Sequence, residues 1–158
     1  MSELSHVDRT GQARMVDVSA KEVTERFARA SGVISMSLNA LDAVRKNAVE
    51  KGDVLTIARV AGVMAAKRTA ELIPLCHPLM LTDVQVIATL DDTIPGIRVE
   101  STVRTAGKTG VEMEAILAVS VTLVTVYDMC KSLDKSMVIS DIGLSEKAGG
   151  RSGHWKRP

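Results

Sequence analysis

The stretch Leu81-Thr82-Asp83-Val84-Gln85-Val86-Ile87-Ala88-Thr89-Leu90, with Ile94-Pro95-Gly96 and then Ile97, Val99 and Val103 behind it, decides the fold class. Val84, Val86 and Ala88 recur at every second position, the period of a strand with one face buried. Pro95-Gly96 turns the chain back into a second run of the same period. An antiparallel hairpin results, and its apolar face needs a cover.

The segments on either side supply that cover. Upstream, Asp53 caps a predicted helix over 54–72, with Ile57, Ala58, Ala61, Met64, Ala65 and Leu72 on its apolar faces, and Pro74 enforces its end. Before it, Ser37 caps a helix through Leu38, Leu41, Val44 and Ala48 that stops at Gly52. Residues 21–37 read as extended and Met15-Val16-Asp17-Val18 as a short strand. Downstream, Thr109 opens the longest helix, which runs to about residue 133, and Met137-Val138-Ile139 reads as a final strand. The order lacks the regular alternation of a nucleotide-binding parallel sheet, and no GxGxxG or Walker motif occurs. The fold class expected is α+β, an antiparallel sheet covered by helices on one side.

The chain has 158 residues, 46% hydrophobic and 25% charged, the profile of a folded globular protein. One domain over 1–158 is expected, with mobile ends near 1–14 and 148–158. A net charge of +1 with scattered Lys and Arg provides no field for DNA or an acidic membrane. Aromatic residues make up 2% (Phe27, Tyr127 and Trp155 among them), so stacking platforms for single-stranded nucleic acid are missing. Residues 1–14 are polar without a leader-like apolar core, and no uninterrupted apolar run approaches the ~20 residues of a membrane span, which places the protein in the cytoplasm. Cys76 and Cys130 are expected as thiols. With His77 they make three potential zinc ligands at atypical spacing, so no metal site is expected.

Four segments carry polar residues that chemistry could use. Lys67-Arg68-Thr69-Ala70-Glu71-Leu72-Ile73-Pro74-Leu75-Cys76-His77-Pro78-Leu79 brackets His77 between prolines. Lys67 pairing with Glu71 and a structural His77 is one reading; a rigid, titratable histidine beside phosphate-holding cations is the other. Thr109 with Glu112 fits a capping box, and Glu114 also gains from the helix end, so both carboxylates have a structural explanation beside a functional one. Asp128 and Lys131 share a helix face after an almost wholly apolar run. They read either as an ordinary ion pair or as an acid/base pair with perturbed pKa values. The tail Lys147-Ala148-Gly149-Gly150-Arg151-Ser152-Gly153 reads as a phosphate-cradling loop or as a loose terminus.

Taken together, Met15-Val16-Asp17-Val18-Ser19, residues 65–79, residues 108–115 and Tyr127-Asp128-Met129-Cys130-Lys131 resemble the cyclic pyranopterin monophosphate synthase family (molybdenum cofactor biosynthesis protein C) over about residues 6–153. The resemblance implies a ferredoxin-like fold and a hexamer, a trimer of dimers, with each site completed by two chains. It implies a lyase that converts 3′,8-cyclo-7,8-dihydroguanosine 5′-triphosphate, made from GTP by a radical SAM cyclase, into cyclic pyranopterin monophosphate and pyrophosphate. No tightly bound cofactor is implied, Mg2+ entering only with the triphosphate. By motif match Asp128 is the catalytic aspartate and Lys131 its proton-transfer partner. Leu75, Cys76, His77, Glu112, Met113 and Glu114 match substrate-contacting segments, and Lys51, Lys67, Lys147 and Arg26 are triphosphate candidates. Arg151 stands where the tail motif commonly has lysine and Ala148 where it often has serine, which leaves the local charge intact.

Overall fold

The computed structural model describes Val7 and residues 10–158. The predicted hairpin is present as β2 (Leu81–Asp91) and β3 (Gly96–Gly107). The extended region upstream is β1 (Thr24–Ser35), and beyond the hairpin follow β4 (Val138–Ala148) and the short β5 (Trp155–Lys156). The five strands form one antiparallel sheet in the order β2-β3-β1-β4-β5. Among the described residues four helices complete the fold: α1 (Leu38–Arg45), α2 (Val54–Lys67), α3 (Thr69–Leu72) and α4 (Glu112–Cys130). With helices after β1 and after β3, and with β1 and β3 central, the first four strands have the βαββαβ ferredoxin-like arrangement. β5 extends it at the β4 edge.

Register explains which face is covered. Val84, Val86, Ala88 and Leu90 of β2 stand opposite Val103, Ser101, Val99 and Ile97 of β3, which stand opposite Ala28, Ala30, Gly32 and Ile34 of β1. This shared face is buried under α4 through Ala115, Ala118, Val119, Leu123 and Val126. A β-carbon at Gly32 would lie 2.9 Å from Leu123 Cδ1 and Val119 Cγ1, so the absent side chain lets α4 settle on the sheet. α2 packs in turn on α4, with Gly62 at their crossing, where a β-carbon would lie 2.8 Å from the Ala118 carbonyl. The opposite face presents Arg29, Glu100 and Arg104 to solvent. The helices therefore cover one side, as the alternation in the hairpin requires.

Several boundaries differ from expectation, each for a local reason. Met15 to Val18 is not a strand; Val7 and Ala13 form only an isolated bridge, Val7 lying among otherwise undescribed residues. Here the backbone is satisfied by side chains: the Ser19 amide donates to Asp17 Oδ1 (2.9 Å), Lys108 Nζ to the Ser19 carbonyl (2.7 Å), and the Val16 carbonyl bonds the His77 ring. α1 stops at Arg45 because Asn47 takes the left-handed position (φ 51), leaving Gly52 (φ 100) to lead into the Asp53 cap.

The single helix expected over 54–72 breaks at Arg68, beside which the buried Thr69 hydroxyl takes the Ala66 carbonyl at 3.0 Å. α4 begins at Glu112, without a side-chain cap, and ends at Cys130 rather than near residue 133. The Thr109–Glu112 capping box does not form, since Glu112 turns its carboxylate toward Lys147. β4 is far longer than Met137-Val138-Ile139 indicated because irregularities in its pairing with β1, and Asp141 at φ 56, carry it past the Asp-Ile-Gly break. By length and composition α4 is long and apolar enough to cross a membrane, yet Ser120, Thr122 and Thr125 interrupt its apolar run and half of that window is buried within the protein.

Candidate active site

Two groups of the expected residues sit at opposite ends of α4. Glu114 lies in its first turn and Asp128 in its last, roughly 21 Å apart at 1.5 Å per residue. The two ends differ in electrostatic character.

At the C-terminal end, Asp128 is held between two ammonium groups. Lys131 Nζ donates to Oδ1 at 2.6 Å and Lys51 Nζ to Oδ2 at 2.7 Å. Lys51, which follows α1 in the chain, also donates to the Asp128 main-chain carbonyl at 3.0 Å, placing a cation where the helix leaves its carbonyls unpaired. Hydrogen bonds from Lys131 and then Lys51 hold the Asp128 carboxyl down to about 2, and Asp128 in turn pushes the Lys131 ammonium up. All three side chains are about half exposed, so the cluster opens to solvent. Lys51 is thus an ion-pair partner of Asp128.

At the N-terminal end Glu114 is 4% exposed, and burial, helped by the neighbouring Glu112 carboxylate, pushes its carboxyl up to about 7. Burial and then Glu114 push the Cys76 thiol up as well, so the loop carrying Leu75 and Cys76 lies within electrostatic reach of the start of α4. His77 Nε2 donates to the Val16 carbonyl at 2.8 Å, which leaves Nδ1 for a further partner. Glu112 faces Lys147 at 3.2 Å, and Lys147 also donates to the Ser152 hydroxyl at 3.0 Å. Met113 is partly exposed on the same turn.

Arg26 of β1 donates through Nε to the Gly107 carbonyl at 2.9 Å, and its guanidinium lies against Gly150. It borders a cavity of about 600 Å³ with Lys21, Glu22, Thr24, Arg151 and Ser152. The Thr24 hydroxyl is buried there without a partner among the described residues. Lys21 and Thr24 carried no signal in the sequence, where 21–37 showed only extended periodicity. Lys67 is not brought to either group. It lines a groove between α2 and β2 with Val63 and Val84, and the break at Arg68 prevents its pairing with Glu71. Among the described residues no three His, Cys, Asp or Glu side chains gather as a metal site, so Cys76, His77 and Cys130 do not assemble one.

The MoaC family model matches residues 15–150, which spans both ends of α4 and the tail loop up to Gly150. The chain belongs to that family. It is 57% identical over 157 residues to the cyclic pyranopterin monophosphate synthase of Heliobacterium modesticaldum, covering 99% of each chain. It is 55% identical to that of Thermomicrobium roseum, over 99% of this chain and 95% of the relative. To that of Dinoroseobacter shibae it is 53% identical, over 99% of each. Family membership bears on the two readings of each motif: the family match takes in both the Asp128–Lys131 pair and the Glu112–Glu114 turn.

Proposed function

We propose that this chain is a lyase that converts 3′,8-cyclo-7,8-dihydroguanosine 5′-triphosphate into cyclic pyranopterin monophosphate with release of pyrophosphate, an early step of molybdenum cofactor biosynthesis. The observation that carries the reading is Asp128 held between Lys51 and Lys131 at hydrogen-bond distance. A bound molecule that separates the carboxylate from either ammonium returns both groups toward their ordinary pKa values, so that Lys131 can give and Asp128 take a proton at that molecule, which ring opening and pterin formation demand. Asp128 and Lys131 act as the proton-transfer pair. In the closing step a sugar hydroxyl oxygen bonds the α-phosphorus, its proton passes to a base, and the bond to the β-phosphate breaks, its electron pair leaving with pyrophosphate.

Glu114, with a carboxyl near neutrality, and His77, whose Nδ1 has no partner among the described residues, read the purine-derived ring together with Glu112, Met113 and the Leu75-Cys76 backbone. Arg26, Lys147 and Lys21 neutralise the triphosphate, with Lys67 reaching it only from another surface. The separation along α4 favours a site in which one copy supplies the Asp128 end and a second copy the Glu114 end, within a hexamer built as a trimer of dimers. No tightly bound cofactor belongs to this reading; Mg2+ enters only as the counter-ion of the triphosphate. A radical SAM cyclase acting on GTP supplies the substrate in the cytoplasm, without nucleic acid or membrane as partner.

The second reading, a carrier that binds the cyclised nucleotide and passes it on, uses the same cationic pocket. Pyrophosphate release and oxidised-pterin fluorescence from the purified nucleotide separate the two. Release by the parent and its loss in Lys131→Ala support the synthase; tight binding without release overturns it.

A further inference from the structure

The loop between β4 and β5 has an unusual construction. Gly149, Gly150 and Gly153 have φ values of 105, 69 and 62, and the turn closes through a Gly153 amide to Gly150 carbonyl bond of 3.2 Å. A β-carbon at Gly149 would sit 2.9 Å from Arg26 Cγ, so the loop rests directly on that arginine. Lys147 and Ser152 are joined across it at 3.0 Å, and Arg151 projects beside Lys21 and Arg26 in the 600 Å³ cavity. Three glycines in so short a span make such a loop costly to order unless both of its ends are held.

The far end is held by residues 154–158. Trp155 and Lys156 pair with Lys147 and Glu146, and the Arg157 amide donates to the Ser145 carbonyl at 2.9 Å. His154 Nε2 donates to Glu146 Oε1 at 2.8 Å, while Glu146 Oε2 receives Arg29 Nη1 at 2.8 Å from the neighbouring strand. A β-carbon at Gly143 would lie 3.1 Å from Arg157 Cζ, so this glycine makes room for the guanidinium. Yet every one of residues 154–158 is exposed. The segment adds almost nothing to the core, while its directed contacts converge on residues 143–147 in the second half of β4.

We propose that residues 154–158 form a strap that positions the cation-bearing loop 149–153 over Arg26, and so pre-shapes the pocket for the pyrophosphate end of the substrate. The strap touches no substrate; it acts through Lys147, Arg151 and Arg26. This rests on the function proposed above, in which Arg26 and Lys147 hold the triphosphate, and it adds Arg151 from the same cavity to them. Pre-ordering the loop moves its entropy cost from binding to folding, so the effect falls on affinity rather than on the chemical step.

The test compares the parent chain with a variant lacking residues 154–158, with Arg157→Pro, which deletes the amide bonded to Ser145, and with Trp155→Ala, which keeps the backbone ladder. Calorimetry with pyrophosphate and steady-state kinetics with the cyclised nucleotide are the readouts, with circular dichroism and oligomer size as controls for folding. Expected are a pyrophosphate Kd and a KM raised about tenfold in the truncated chain, kcat within about twofold of the parent, Arg157→Pro displaced in the same direction, and Trp155→Ala near the parent. Unchanged pyrophosphate affinity in a folded truncated chain overturns the strap, as does a fall in kcat at constant KM. A parent that neither binds nor releases pyrophosphate overturns the proposed function and the strap together; a parent that does both, with the truncated chain equal to it, overturns the strap alone.

Discussion

Gly62 of α2 lies against the hydroxyl of Thr122 on α4 with no space for a β-carbon between them, and the Thr122 hydroxyl is itself bonded to the Ala118 carbonyl at 2.7 Å. The two helices approach this closely only because one of them has glycine at the crossing. Gly62→Ala improves helix propensity by about 1 kcal/mol but overpacks a contact worth about 1–3 kcal/mol, so net destabilisation is expected. Urea unfolding checks it, and Thr122→Ala in the same chain is expected to recover part of the loss because the two sites share one contact.

Asp128 accepts from both Lys51 and Lys131, and no other described acidic side chain is paired with either lysine. Asp128→Asn keeps the shape and removes the charge. Turnover is expected to fall by about 100-fold or more while KM stays within a few-fold, since proton transfer is lost and the contacts to the substrate are kept. Near-normal turnover would remove Asp128 from the mechanism.

The separation of Glu114 from Asp128 along α4 predicts complementation. Chains carrying Asp128→Asn and chains carrying Glu114→Gln are each expected to be inactive. Co-expressed and randomly paired in two-fold dimers, they regenerate about a quarter of the parental sites, because each mixed dimer has one site with both ends intact. Activity no higher than that of the separate variants would place the whole site within one copy.

Glu114 also predicts a pH dependence of stability. Burial raises its carboxyl from the ordinary 4.5 to about 7. Its contribution to stability is therefore fully present below about 4.5, where the unfolded chain also binds the proton, and is lost as pH rises through about 7. Glu114→Gln cannot titrate. The stability of the parent relative to this variant is thus expected to decline between these two values, and chemical unfolding at a series of pH values reads the difference. A parent that instead gains stability over that window relative to Glu114→Gln would contradict the burial of this carboxyl.

The hairpin was legible because period-two alternation and Pro95-Gly96 are local signals, and Ser37 and Asp53 cap their helices for the same reason. What local signals missed was decided by partners distant in the chain. Val16 loses its strand to His77 while Lys108 holds the adjoining Ser19, and Glu112 leaves its capping box for Lys147. In the site, the Asp128–Lys131 pair followed from helical spacing, whereas Lys51 meets Asp128 across 77 positions, which no periodicity encodes. Lys21 and Thr24 were invisible for a similar reason, since their cavity exists only once the tail loop folds back on β1.

The placement of reactive groups at both ends of a buried α4 also bears on which changes the protein can accept. A substitution along this helix alters volume at one point. An insertion or deletion of a single residue would turn one end relative to the other by about 100° and shift it by about 1.5 Å. Asp128 would swing away from Lys51, or Glu114 out of its buried niche. The length of α4 is accordingly under constraint along its whole course, and variants of this protein should exchange aliphatic side chains at its more exposed positions, such as Val124, while keeping the number of residues the same.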